Sequence, residues 1–144
     1  MGGGRSLGAR ALLTLISSGP MSRGDLAERL GLSAATTTRT VRPLIEAGLI
    51  EEQPPVEVGG PGRPTRLLAV VAGSATVAGV KLTADRLYAV LTDPLGEVLI
   101  SDSRPLTDTD AGCVTALIAS VVAQLAQRSG RRPDAIGISL GAAV

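Results

Sequence analysis

The sequence predicts an α+β protein whose helices come first and whose strands come later. Three observations predict this. Up to about Glu52, apolar residues recur at helical spacing between Ser and Gly punctuation. The stretch QPPVEVGGPGRP (Gln53 to Pro64) then cannot continue a helix. Beyond Ala75, three runs rich in Val, Leu and Ile are separated only by short turns.

The first helix is expected at about Ser6 to Ser17, with Leu12, Leu13, Leu15 and Ile16 as its apolar supply and Gly19-Pro20 as its stop. Ser22 followed by Asp25 is a capping-box pattern that opens a second helix, whose apolar stripe is Leu26, Ala27 and Leu30. Gly31 suits the left-handed position after its last turn. Ser33 caps a third helix, about Ala34 to Ala47, closed by Gly48. Two helices joined by a short Gly turn are the layout of a helix-turn-helix. Leu49 to Gln53 and Thr65 to Val70 flank the Pro/Gly loop and read as a β-hairpin, or wing, so residues 1–70 are expected to form a winged helix-turn-helix domain.

In residues 71–144, ATVAGVKL, RLYAVLTD and EVLISDSR predict an antiparallel meander with TAD and PLG turns. Gly112 to Gly130 reads as a helix that is apolar nearly all round, and therefore as largely buried. Asp134 to Leu140 reads as a buried strand of a parallel sheet. A domain seldom stops on such a strand, so the chain is expected to be a fragment of something longer.

Composition excludes several functions. With no His and one Cys, Cys113, neither a zinc site of several Cys or His ligands, nor a Ser-His-Asp or Cys-His arrangement, nor an internal disulfide can be built. One Tyr and no Phe or Trp leave no aromatic platform for stacking bases. No uninterrupted apolar run reaches the roughly 18 residues of a membrane span, and MGGGRS lacks the apolar core of a signal peptide. A cytoplasmic protein with no membrane partner, no metal and no cofactor is expected. The net charge of +1 says little, so position has to carry any argument for nucleic acid.

Position does so in the third helix. Stepping about 100° per residue puts Thr37 with Ala34, Val41, Leu44 and Ile45 on an inward stripe. Ala35, Thr38, Arg39, Arg42 and Glu46 fall opposite, with Thr36 and Thr40 on the flank. Arg can bond guanine edges in bidentate fashion, hydroxyls can reach phosphates or bases, and a small Ala permits close approach. Ser33, Ala35, Thr36, Thr38, Arg39 and Arg42 are therefore the candidate DNA-binding residues of this helix. The competing reading is a solvated polar face. Arg63, in Gly62-Arg63-Pro64 of the wing, is a further candidate that could enter a minor groove or sit on a phosphate, or be an ordinary loop Arg. Arg66 could instead pair with Glu51 or Glu52. Pro43, inside the third helix, is expected to kink or slacken it on the side away from the core.

The segment MSRGDLAERLGLSAATTTRTVRPLIEAGLIEE, the GGPGRPTRLL wing and VAGVKLTADRLYAVLTDPLGEVL together resemble the ROK family of bacterial transcriptional regulators. The resemblance implies a winged helix-turn-helix joined to the first part of a sugar-kinase-like α/β lobe of the actin/hexokinase (ribonuclease H-like) fold. It implies a repressor of sugar or related metabolism that binds an operator in double-stranded DNA as a homodimer. A sugar effector would be held by the part of the lobe beyond this chain. Kinases of the family carry D-x-G-x-T after the first strand of that lobe. Here Lys81 and Thr83 stand at the Asp and Gly positions, which implies no ATP-binding phosphate loop and no enzyme. Asp85, Asp93, Asp108 and Asp110 are read as turn and cap residues. The alternatives are the N-terminal fragment of a ROK-type sugar kinase and a dimerisation module that does not bind DNA.

Overall fold

The computed structural model describes residues 6–55 and 65–141, and the chain divides into two compact units, Met1–Ser74 and Ala75–Val144. Each is described by itself.

In the first unit, short-range capping sets the helix limits. The Ser6 side chain accepts from the Ala9 N–H to open α1 (Leu7–Ser18), and Gly19, at φ 79°, closes it by donating to the Leu15 carbonyl. α2 (Arg23–Leu30) opens on Ser22 with both halves of the capping box present, and ends on Gly31 at φ 65°. Left-handed backbone of this kind carries little steric penalty only for glycine. α3 (Ala34–Glu46) opens on Ser33, whose hydroxyl accepts from the Thr36 N–H.

A two-residue strand that sequence periodicity does not reveal, β1 (Met21–Ser22), precedes α2. With β2 (Ile50–Glu52) and β3 (Leu67–Val70) it makes an antiparallel sheet of order β1-β3-β2. The expected hairpin is therefore the larger part of a three-stranded sheet, with Met21 opposite Leu68 and Ile50 opposite Val70. Ala11, Leu15, Met21, Leu26, Val41, Ile50 and Leu68 form the core. Each fully buried Leu or Ile there contributes on the order of 2 kcal/mol.

In the second unit, β4 (Val77–Leu82), β5 (Arg86–Thr92) and β6 (Val98–Pro105) form the expected meander, and β7 (Ala135–Leu140) adds in parallel to β4, giving the order β6-β5-β4-β7. α4 (Ala111–Ser129) packs over β5 and β6. Ala78, Val80, Leu82, Leu87, Ala89 and Leu91 meet Val121, Val122 and Leu125 in one aliphatic layer. The Asp residues serve turns and caps. Asp93 Oδ1 accepts from the Leu95 and Glu97 N–H groups, Asp108 Oδ1 from the Asp110 N–H, and Asp110 Oδ1 from the Gly112 and Cys113 N–H groups at the head of α4.

Three expectations about burial are corrected. α4 is not buried all round, since only Val121, Val122 and Leu125 are fully covered. A helix lying on one sheet face has one stripe in contact, whatever its composition. By length and hydropathy α4 could even cross a membrane, although no long uninterrupted apolar run exists. β7 is parallel as expected but exposed throughout, with Ile136, Ile138 and Leu140 at 54%, 56% and 79% exposure. It lies at the sheet edge beside β4, while α4 sits over β5 and β6. Ala34, expected to face inward, is exposed in the first turn of α3.

Candidate nucleic-acid interface

α3 is held by the chemistry of its own threonines. Thr37 is 1% exposed and packs with Val41 beneath the helix, while Leu44 and Ile45 are half-buried against the same core. Its Oγ1 donates to the Ser33 carbonyl at 3.1 Å, which satisfies a hydroxyl that would otherwise be buried without a partner. Thr40 Oγ1 donates to the Thr36 carbonyl at 2.9 Å. The hydroxyls of Ser33 and Thr36 lie 2.9 Å apart and share one hydrogen bond at the helix N-terminus.

The outward face is different. Ser33, Ala35, Thr38, Arg39 and Arg42 are exposed and Thr36 is half-exposed. The side chains of Thr38 and Arg39 have no hydrogen-bond or ion-pair partner among the described residues. Arg42 has one: its Nε donates to Glu46 Oε1 at 2.7 Å, with the two side chains 78% and 60% exposed. The structure thus brings five of the sequence-predicted residues onto one helix, with Ser33 as its N-cap. Arg63 lies outside the described residues.

Pro43 is exposed, and α3 continues through it to Glu46, so no interruption of the helix accompanies it. Its missing N–H would have served the carbonyl of Arg39, on the solvent side, where water can substitute.

Sequence reasoning missed the part of Arg23 in a charged cluster of this unit. Glu52, in β2, pairs with Arg23 at the start of α2 and, at 3.8 Å, with Arg66 just before β3. Arg66 therefore does pair across the sheet, as one reading expected. Arg23 could not be found from spacing, because the fold alone brings it to Glu52. Arg23 Nε is buried and has no hydrogen-bond partner among the described residues.

In the second unit, the place of a kinase phosphate loop is a tight hairpin turn. The Thr83 N–H donates to the Arg86 carbonyl at 2.9 Å, Thr83 Oγ1 accepts from the Arg86 N–H at 3.1 Å, and Lys81 is exposed on β4.

Comparison with known proteins agrees with this geometry. A family model described as a helix-turn-helix domain matches residues 9–53. The crystal structure of a ROK family transcriptional regulator, a homologue of the Escherichia coli Mlc protein, superposes with a TM-score of 0.69 at 28% identity, covering 92% of this chain and 34% of that one. Over most of its length the chain is similar to a ROK family transcriptional regulator. Among curated relatives, an uncharacterised protein of Sinorhizobium fredii is 34% identical over 94% of this chain and 35% of its own length. A transcriptional regulator of Mycobacterium tuberculosis is 33% identical over 88% of this chain and 29% of its own. The DNA-binding transcriptional repressor Mlc of Escherichia coli is 30% identical over 71% of this chain and 25% of its own. The chain thus spans about a third of the length of its curated relatives. It is an α+β chain made of a helix-turn-helix unit and a sheet-containing lobe that resembles the ROK regulator structure.

Proposed function

We propose that this chain is the DNA-reading part of a ROK transcriptional regulator, a cytoplasmic repressor that binds a palindromic operator as a homodimer and is released by a sugar or related metabolite. The observation that carries the reading is the exposed pair Thr38 and Arg39 on the second helix of a helix-turn-helix, both without intramolecular partners among the described residues. Such groups are available for base edges and phosphates. Ser33, Ala35 and Thr36 would lie along the same groove, and Arg42 would meet phosphate or base beside Arg39. Arg63 would serve the wing. One recognition helix reads only a few base pairs, which favours a dimer on two half-sites. The repressor role and the effector class rest on likeness to Mlc.

The kinase reading is not favoured. Lys81 places a cation where a phosphate loop of the family carries an acid, and the Thr83 turn spends backbone and hydroxyl groups on its own closure.

The test is a mobility shift with the full-length protein on fragments selected from genomic DNA. Arg39→Ala is expected to weaken operator binding at least about tenfold, the loss of one bidentate contact. Undiminished binding by that variant rejects the assignment. Release of the wild-type complex by one member of a sugar panel tests the effector.

A further inference from the structure

We propose that Glu46 determines specificity at this interface, by offsetting the charge of Arg42 so that Arg42 adds little to sequence-independent attraction for phosphate. The inference rests on the DNA-binding reading above. Its starting point is the 2.7 Å bond between Arg42 Nε and Glu46 Oε1.

Helix stability gives poor reason for a glutamate there. Glu46 is the last residue of α3, where an acid opposes the helix dipole. An Arg four residues before a Glu is the weaker order of an i,i+4 pair. At 78% and 60% exposure the pair adds little to folding. Arg39, one turn earlier on the same face, has no acidic partner among the described residues.

On DNA the consequence is directional. Attraction to phosphates is sequence-independent and sets most non-specific affinity, so cancelling one cation weakens binding to a random duplex, whereas on the operator Arg42 is engaged by a base edge and less is lost. The bond occupies only Nε and leaves both Nη groups of Arg42 to meet a base edge end-on, where the match depends on sequence. Arg39 then supplies attraction and reading, while Arg42 supplies mainly reading.

Glu46→Gln tests this, because the amide oxygen can keep the bond to Nε while the charge is lost. Binding of the full-length protein to its selected operator and to a random-sequence duplex is measured across a salt series. The expected result is affinity for the random duplex raised about three- to tenfold, a salt slope steeper by about 0.9, and an operator-to-random ratio at least threefold lower. An unchanged ratio and slope in the variant, with wild type binding normally, overturns the role of Glu46 alone. Failure of wild type to bind any duplex overturns the DNA-binding reading. Thermal unfolding of the variant within about 2 °C of wild type is also expected; a larger drop would mean that the pair supports the fold, and would overturn the argument from stability.

Discussion

Thr37 Oγ1 donates to the Ser33 carbonyl while the rest of the Thr37 side chain lies in the core at 1% exposure. One threonine thereby satisfies its own hydroxyl locally and presents a methyl to Val41 and its neighbours. The Ser33 carbonyl also accepts from the Thr37 N–H at 2.9 Å, so it keeps a partner if the hydroxyl is lost.

Thr37→Val is therefore expected to change stability by less than about 1 kcal/mol, because shape is kept and no buried group is orphaned. Thr37→Ser keeps the hydroxyl and removes the buried methyl, at a cost of about 1 kcal/mol. Urea denaturation of both variants checks the order. A Val variant less stable than the Ser variant would show that the hydrogen bond outweighs the packing.

The capping box of α2 yields a second prediction. Asp25 Oδ2 accepts from the Ser22 N–H at 3.3 Å and from the Ser22 hydroxyl at 2.7 Å, and Ser22 Oγ accepts from the Asp25 N–H at 3.1 Å. Ser22→Ala is expected to destabilise by about 1 kcal/mol. Because both residues form one unit, the Ser22→Ala, Asp25→Ala double variant should lose less than the sum of the two single losses. Strict additivity in chemical denaturation would contradict a reciprocal box.

Cys113 yields a third. Its thiol pKa is raised above the ordinary value chiefly by hydrogen bonding to Asp108, which favours the protonated form. The Asp108 carboxyl is held below its own ordinary value, first by the Asp110 N–H and then by the thiol. The thiolate is the nucleophile, so at pH 8 Cys113 should react with iodoacetamide more slowly than a free cysteine peptide, despite its exposure. Asp108→Ala removes the acceptor, lowers the thiol pKa and should speed the reaction. The difference between variant and wild type should close at high pH, once both thiols are ionised. Equal rates at pH 8 would exclude the hydrogen bond as the cause.

The features legible in the sequence are those closed within a few residues. Ser22, Ser33 and Asp110 each cap a helix by bonding an N–H two or three positions ahead. Gly31 and Gly130 each end one in left-handed backbone. The 100° step was enough to turn Thr37 inward and Thr38, Arg39 and Arg42 outward, because helix geometry fixes direction without knowledge of the partner. It misplaced Ala34, since a first-turn residue can lie beyond the packed surface.

Tertiary structure decided what depends on distant partners. β1 is a strand only because Leu67 and Leu68 pair with it. Glu52 becomes the link between Arg23 and Arg66 only when α2 and the sheet meet. α4 and β7 share an apolar composition, yet only one stripe of α4 is covered and β7 stays exposed at an edge. Composition records what a segment can bury. The faces that find a neighbour are set by the packing of the whole unit.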